Sequence, residues 1–269
     1  MRYKFILNSA ALLLALSGPT IWAVDKQTPP HPAAPSSQTQ PSTTAAPFAR
    51  GEALAYTAKL NELPAGDGEI RLRKIRQSGQ DVYRVTARGR TSELVDVLFN
   101  IRGEADGLFA ASGFSPISFR FAFTERDRAR ELGVRYDPAT NTLIGLTKKK
   151  ERAQERREPA ASVYDPFSAF YLLRSRDLSP GSSQQIAVFT GKDRYQVTAH
   201  VVRQERILLL GTERAAVRLH LEGFKATDGA HKNALPEETT LWVSSDPKHV
   251  PLKLESFLPF GQFVIELNE

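Results

Sequence analysis

The stretch Phe119-Arg120-Phe121-Ala122-Phe123 carries an aromatic ring at every second residue. Successive side chains of a β-strand point to opposite faces, so this spacing predicts a strand with one buried face. The same alternation recurs at 195–201, 215–221, 252–258 and 263–267, and earlier candidate strands lie at 53–60, 67–76 and 81–88. Because fully buried parallel strands would be continuously apolar, the alternation favours an antiparallel sheet.

Turn-forming residues separate these segments. Asp137-Pro138-Ala139-Thr140-Asn141 lies between two apolar runs and predicts a hairpin. The spacing of strands and turns gives about a dozen strands, which is typical of large sheets and barrels rather than of a two-layer α/β fold. We therefore predict a mainly β fold: a large curved antiparallel sheet or half-open β-barrel packed around one short helix.

That helix is predicted to begin after Asp165. Asp165 can accept backbone N–H bonds as the N-cap, and Pro166 at the first helical position has no donor to lose. Arg174, at the far end, is a cation at a helix C-terminus, where the helix dipole favours it. The helical period places three aromatic residues on one face: Phe167, Phe170 and Tyr171. A second segment, 92–99, fits either a helix or a strand.

The N-terminal segment has the pattern of a secretory signal. Arg2 and Lys4 precede an apolar stretch that ends near Leu16, Gly18-Pro19 interrupts it, and Ala23 offers a small residue for cleavage. We expect a signal peptide at 1–23, a disordered linker rich in Pro, Ser, Thr and Gln at 24–47, and one β-rich domain at 48–269. An uncleaved signal that anchors the protein in the inner membrane is the alternative.

Composition narrows the function classes. The 269 residues are 41% hydrophobic and 25% charged, with a net charge of +6. Without the two basic residues of the signal the charge is 34 minus 30, or +4, which is low for a nucleic-acid binder and more compatible with anionic lipid head groups or acidic glycans. The chain has no cysteine. Lipoprotein acylation, disulfides and thiolate metal sites are therefore not expected.

Catalytic motifs are not recognisable. The sequence contains no Walker-type loop, no HExxH pair and no GxSxG elbow. The histidines outside the linker, at 200, 220, 231 and 249, are widely separated and are interpreted as scattered surface residues. We predict a protein that is not an enzyme and has no cofactor or metal site. The charged run 148–158 is interpreted as a solvated hairpin arm or mobile loop rather than a basic contact surface.

The candidate site residues are aromatic. In a half-open barrel the core and a ligand pocket are the same surface, so the aromatic strand and helix faces are candidates to line an apolar ligand: Phe119, Phe121, Phe123, Phe167, Phe170 and Tyr171. The alternative is that these rings only form the core. Asp165 and Arg174 are interpreted as structural residues of the helix.

Several ordered motifs resemble one known family. They begin with Gly51-Glu52-Ala53-Leu54-Ala55-Tyr56 and Ala65-Gly66-Asp67-Gly68-Glu69, and continue with Ser168-Ala169-Phe170-Tyr171-Leu172-Leu173-Arg174, Asp177-Leu178-Ser179-Pro180-Gly181, Leu241-Trp242-Val243-Ser244-Ser245-Asp246 and Val250-Pro251-Leu252-Lys253-Leu254. Together they resemble the bacterial family of domain of unknown function 3108 over residues 48–269. The resemblance implies a Gram-negative periplasmic protein, with a curled sheet around a helix as in lipoprotein carriers. It implies no reaction and no functional residues.

Three functions remain open from the sequence. The first is a non-enzymatic envelope protein that binds a lipid or another apolar ligand in the groove of a curved sheet. The second is a structural or assembly partner of another envelope protein. The third is a hydrolase whose site residues converge only in three dimensions.

Overall fold

The computed structural model describes residues 48, 50–96, 100–125, 128–149, 152–227, 230–236, 238–259 and 261–268. The predicted signal peptide with its cleavage site at Ala23, and the linker 24–47, lie outside the described residues. The strands are β1 (Glu52–Leu60), β2 (Leu63–Gln77), β3 (Gln80–Thr91), β4 (Ile101–Ala110), β5 (Pro116–Glu125), β6 (Arg128–Asp137), β7 (Thr142–Lys149), β8 (Arg152–Pro159), β9 (Val163–Tyr164), β10 (Ser183–Phe189), β11 (Arg194–Leu209), β12 (Thr212–Thr227), β13 (Ala230–Asn233), β14 (Thr239–Ser244), β15 (Pro251–Leu258) and β16 (Gly261–Leu267). The helices are α1 (Glu93–Asp96) and α2 (Pro166–Arg174).

All these strands belong to one sheet. Its order is β8-β7-β6-β5-β4-β3-β2-β1-β16-β15-β14-β12-β11-β10-β9, and β13 pairs with β12 beside this path. The last strand pairs with the first, so the two halves of the chain join in the middle of the sheet. The β9–β10 pair is parallel and the other pairs are antiparallel. The sheet is barrel-shaped and nearly closed, which confirms the predicted fold class.

A close backbone contact joins the two ends of the sheet. The β10–β11 turn lies directly on β6 and β7, where an added Cβ on Gly145 would be 2.2 Å from the carbonyl oxygen of Gly191. A Cβ on Gly191 would be 2.1 Å from the carbonyl oxygen of Gly133, and Gly191 also has a positive φ of 91°. Only glycine permits this approach, so the near-closure of the barrel depends on residues 145 and 191 having no side chain.

Helix α2 lies inside the barrel, against β4, β5, β9 and β10. A Cβ on Gly107 of β4 would be 2.7 Å from the ring of Phe167, so the helix rests on the backbone of that strand. One hydrophobic cluster includes residues of the helix and of both halves of the sheet. A second, smaller cluster lies apart from it and contains Leu209, Ala216, Trp242 and Leu252.

The differences from the predicted elements have simple causes. The sheet has more strands than the dozen expected, because strands such as β8 carry charged residues on both faces and show no apolar alternation. Of the run 148–158, residues 148–149 end β7 and residues 152–158 form most of β8, with mainly exposed side chains, as expected of a solvated hairpin arm, while 150–151 lie outside the described residues. Of the segment 92–99, residues 93–96 are helical and 97–99 lie outside the described residues. Within the described ranges, the helices are too short to cross a membrane.

Candidate functional site

The aromatic residues predicted to line a ligand site meet in the interior. Phe119 of β5 contacts Phe167 of the helix edge-to-face at 5.5 Å between ring centroids, and Phe121 stacks on Phe123 at 5.0 Å. Tyr171 packs on Phe109, and Phe170 is half-buried beside it. The other five predicted residues are 0–7% exposed. The structure thus places them in the packed core, and their contact with a ligand stays a prediction.

Asp165 occupies the N-cap of α2. Its carboxylate accepts the backbone N–H groups of Phe167 at 2.8 Å and Ser168 at 3.2 Å. The second carboxylate oxygen is buried without a hydrogen-bond partner among the described residues. Burial raises the pKa of Asp165 to about 6, although the hydrogen bonds from residues 168 and 167 oppose the rise. The cap is therefore a buried carboxyl group that holds a proton more readily than usual.

Arg174 ends the same helix and is 1% exposed. Its guanidinium forms a two-point ion pair with Glu52 of β1, with 2.8 Å between Nη2 and Oε2, and Tyr171 donates its hydroxyl proton to the same carboxylate. It also donates to the backbone carbonyl oxygens of Lys248 and His249. Burial opposes the charge of Arg174, but the bonds to Glu52 outweigh it, so the pKa of Arg174 is raised.

This cluster closes one end of the barrel. The guanidinium lies 5.0–5.3 Å from the ring centroids of Phe48, Phe170 and Tyr171. Burial also raises the pKa of Tyr171 far above its ordinary range. Every donor group of Arg174 thus faces an acceptor of the protein itself, and the residue has no free face for a ligand. The sequence predicted a structural role at the helix end, but not the partner on β1.

A groove of about 890 Å³ crosses β1 to β7 on the charged face of the sheet. The strand register arranges its side chains in two rows. One row contains Asp67, Arg90, Arg102, Thr124 and Ala129. The other contains Ala55, Glu69, Arg88, Glu104, Ala122, Glu131 and Lys148. Both rows face the groove, which none of the sequence patterns indicated.

Glycines separate these rows. Gly68, Gly89 and Gly103 are successive cross-strand partners on β2, β3 and β4. A Cβ on Gly68 would be 3.1 Å from the carbonyl oxygen of Arg88, and one on Gly103 would be 3.1 Å from the ring of Phe121. Glycine within a strand often marks a tight bend of a barrel. The glycine row therefore lets the sheet bend sharply where the groove lies.

The centre of the groove is cationic. Arg90 and Arg102 are direct cross-strand neighbours, an arrangement that repulsion between like charges disfavours. Asp67 contacts Arg90 at 3.0 Å, and Asp96, outside the groove lining, contacts Arg102 at 3.1 Å. Arg88 lies beside Arg90 on the same face and has no ion pair or hydrogen bond within the part of the chain that the structure describes.

The remaining lining residues add charge and some apolar surface. Arg120 contacts Glu131 at 3.0 Å and Glu104 at 3.6 Å, so these carboxylates are engaged. The guanidinium of Arg130 lies 5.9 Å from the ring centroid of Phe123, which also lines the groove. Basic lining residues outnumber acidic ones. The arrangement can therefore bind an anion and, beside it, a small apolar group.

Two of the histidines interpreted as scattered are neighbours, which corrects that interpretation. His200 and His220 are cross-strand partners with ring centroids 6.3 Å apart. Glu222 lies 3.5 Å from Nε2 of His200, and the hydroxyl of Ser183 lies 2.8 Å from its Nδ1. The turn spacing alone would set His200 opposite Leu221, and a β-bulge between Val201 and Arg203 shifts the register by one residue and brings His200 opposite His220.

This histidine cluster lies on an open sheet face. The side chains of His200 and Glu222 are 41% and 42% exposed. Nucleophilic catalysis depends on a preorganised site from which water is excluded, and these residues lie in contact with solvent. In the described residues no group of three or more His, Asp or Glu side chains has the geometry of a metal site. The groove is therefore the stronger candidate site.

The fold and the groove define a β-barrel-like protein. A crystal structure of a "Beta-barrel-like Protein of Domain of Unknown Function DUF1849" from Brucella abortus is similar, with a TM-score of 0.52 and 10% identity over 81% of this chain and 95% of that chain. A candidate lipoprotein from Parabacteroides distasonis matches with a TM-score of 0.31 and 8% identity over 81% of this chain and 93% of that chain.

The particular family follows from the sequence. The chain belongs to the family described as "Protein of unknown function (DUF3108)", which matches residues 55–268 and confirms the resemblance found in the motifs. Among curated proteins no significant match is found. The family and the structural similarity establish the fold and do not assign a reaction or a ligand.

Proposed function

We propose that this protein is a non-enzymatic binding protein of the bacterial cell envelope, and that its groove holds an anionic lipid. The observation that carries the proposal is the opposed pair Arg90 and Arg102 with Arg88 beside it, in a groove of about 890 Å³. A bound phosphate relieves the repulsion between the two opposed guanidinium groups. Their planar donor groups match phosphate oxygens in two-point contacts.

The size and composition of the groove support a lipid rather than a bare anion. Ligand sites for small molecules span roughly 300–1,000 Å³. The head group lies against the arginines in this proposal, and the acyl chains lie along Phe123, Ala122 and Ala55, which provide the apolar part of the lining. The proposed ligand site is thus on the charged face of the sheet, and of the six aromatic residues that the sequence favoured it includes Phe123 alone.

The other two functions receive less support. The contact between Ser183, His200 and Glu222 is the best argument for a hydrolase. The exposure of these side chains to solvent disfavours that function. Assembly by strand addition would use the edge strand β8, whose exposed charges oppose such pairing.

The cellular location is part of the same proposal. Residues 1–23 export the chain, cleavage follows Ala23, and the mature protein resides in the periplasm. N-terminal sequencing of the protein purified from cells tests this, with residue 24 expected as the first residue. A mature protein that begins at Met1 would overturn periplasmic release and favour the anchored alternative.

Ligand binding is tested by calorimetry with three probes. They are short-chain phosphatidylglycerol below its micelle concentration, glycerol phosphate, and short-chain phosphatidylcholine. We expect phosphatidylglycerol to bind tightest, the isolated head group more weakly, and the zwitterionic lipid weakest. Equal affinity for phosphatidylglycerol and glycerol phosphate would reduce the site to an anion site and contradict a lipid ligand.

A matched pair of variants locates the site. The variant Arg88→Gln/Arg90→Gln/Arg102→Gln should bind phosphatidylglycerol at least a hundredfold more weakly, because charge-assisted hydrogen bonds contribute about 1.5–3 kcal/mol each. Arg84→Gln/Arg156→Gln/Arg157→Gln removes the same charge from arginines whose ion pairs lie outside both the groove lining and the β11–β12 hairpin. Equal losses in both variants would show a general charge effect and overturn the groove as the site.

A further inference from the structure

The β11–β12 hairpin extends beyond its neighbouring strands. β10 pairs with β11 only up to His200, and β14 pairs with β12 only from Ala216 onward. Residues 206–214 therefore find their ladder partners within the hairpin itself. Leu209, next to the turn, and Ala216 pack with Trp242 and Leu252, so one face of this arm is fixed on the barrel.

The tip of the arm is apolar. Leu208 is 68% exposed and Leu210 is 52% exposed. Leu210 and Gly211 both have positive φ, 48° and 78°, and form the two-residue turn between the paired Leu209 and Thr212. Turns of this kind favour Asn-Gly, since a leucine in the left-handed region is strained. Leu210 is thus disfavoured both by its backbone conformation and by its exposure to water, which points to a surface that another apolar phase covers.

Arginines accompany these leucines. Arg206 and Arg214 lie on opposite faces of this arm, and Arg206 has a 74% exposed side chain. Its partner Glu213 is 2.8 Å away, while Glu205 is held by Arg203 and by the indole N–H of Trp242. Basic residues next to exposed apolar ones match the surface of an anionic bilayer, where phosphates lie just outside the acyl chains.

The N-terminal segment joins the barrel at this same end. Through the antiparallel pairs of β16, β15 and β14, strands β1 and β12 run in the same direction, so both begin at the end that carries the tip. The residues before Phe48 include the apolar stretch that ends near Leu16. The segment that carries the predicted export signal therefore joins the barrel at the end that carries the tip.

We propose that the tip formed by Leu208 and Leu210 inserts into the surface of an anionic lipid bilayer, with Arg206 and Arg214 at the phosphates. The proposal goes beyond the groove and does not depend on it, because the groove lies on β1 to β7 and the tip joins β11 to β12. It gives the barrel a fixed orientation on the membrane, with its α1 end directed away from the lipid.

The lack of cysteine in the chain permits a site-specific test. Leu210→Cys, labelled with an environment-sensitive nitrobenzoxadiazole dye, is mixed with vesicles of phosphatidylethanolamine and phosphatidylglycerol. We expect a blue shift and a severalfold rise in emission. The control is Leu63→Cys, which is 57% exposed in the β1–β2 turn at the other end of the barrel and should show no shift. No change at residue 210, or an equal change at 63, would overturn the proposal.

A second variant separates binding from folding. Leu208→Gln/Leu210→Asn should reduce partitioning onto these vesicles at least tenfold, since two leucines no longer leave water. Its melting temperature should not fall, because asparagine adopts the left-handed conformation more readily. Unchanged partitioning onto the vesicles would contradict the proposal. Binding of the tip to another protein, without binding to vesicles, would contradict it as well. The variant Arg88→Gln/Arg90→Gln/Arg102→Gln, labelled at residue 210, should retain the shift, so failure at the tip and failure at the groove are distinguishable.

Discussion

The guanidinium groups of Arg174 and of the groove arginines lie in opposite environments. Arg174 is 1% exposed, and its guanidinium is surrounded by Glu52, two backbone carbonyls and three aromatic rings. Arg90 and Arg102 face each other across two strands in an open groove. The first arrangement contributes to stability and leaves no position for a ligand. In the second, Arg90 and Arg102 each have one exposed carboxylate partner, Asp67 and Asp96, and remain open to solvent, which is why we propose that an anion binds there.

The largest expected effect is the loss of the buried arginine. Arg174→Met should lower the free energy of unfolding by about 3–5 kcal/mol, because Glu52 would remain as a buried charge without its partner. Urea unfolding followed by circular dichroism measures the change. Binding of phosphatidylglycerol to the fraction that still folds should be unaffected, since residue 174 does not line the groove.

The double variant Arg174→Met/Glu52→Leu is the control. It removes both charges together and should recover more than half of the lost stability, as apolar replacement of a whole buried pair often does. A double variant that is no more stable than Arg174→Met would mean that the carbonyl and ring contacts of Arg174, rather than its charge pairing, stabilise the barrel end.

The other end of the same helix provides a buried charge without an ion pair in the described structure. The pKa of Asp165 is raised to about 6 by burial, compared with an ordinary value of 3.8. Because the pKa of Asp165 is higher in the folded protein, its protonated form contributes to stability at acidic pH. That contribution is complete below about pH 3.8 and is lost as the pH rises through 6. Asp165→Asn, which keeps the capping oxygen and has no charge, should remove this loss of up to roughly 3 kcal/mol.

Thermal unfolding of the Asp165→Asn variant and the parent between pH 4 and pH 7 measures this dependence. The two stability curves should converge at the acidic end and separate toward neutral pH, with the variant the more stable there. Parallel curves would show that Asp165 is ionised in the folded state throughout this range, so that its hydrogen bonds offset its burial completely.

A smaller effect is expected from the tyrosine that shares the carboxylate of Glu52. Tyr171→Phe removes one hydrogen bond to a charged acceptor, 2.8 Å long, and should cost about 1–2 kcal/mol. When Tyr171→Phe is made in the Glu52→Leu variant, the free energy of unfolding should change almost not at all. A full loss in both backgrounds would assign the effect to packing of the ring and not to the network.

The sequence predicts local features of this molecule better than distant ones. The aromatic alternation at Phe119–Phe123 specifies a strand, and Asp165-Pro166 specifies the start of a helix, because both depend on neighbours in the chain. The pairing of Arg174 with Glu52 joins residues 122 positions apart and has no local pattern. It could be found only after the topology was known.

The groove was missed for a related reason. Arg88, Arg90 and Arg102 look in the sequence like ordinary solvated positions of alternating strands, and only the register of β3 and β4 makes two of them face each other. The glycines at 68, 89 and 103 were visible, but their alignment in one row depends on the same register. The His200–His220 contact was missed for the same reason, because it depends on a β-bulge between Val201 and Arg203 as well as on the hairpin turn.

The smallest expected effect tests whether the groove arginines repel each other. A double-mutant cycle of Arg90→Gln and Arg102→Gln should give a repulsive coupling of about 0.2–0.5 kcal/mol in the free energy of unfolding at low salt. Each single variant should change stability by less than about 0.5 kcal/mol, because both side chains are more than half exposed and pairs such as Arg90–Asp67 contribute little at the surface. The coupling should vanish in molar salt, where screening acts within about 3 Å, and in saturating phosphatidylglycerol, whose phosphate would lie between the two cations. An attractive coupling would show that Asp67 and Asp96 already complete the site, and the distinction between the closed arginine and the open pair would then no longer hold.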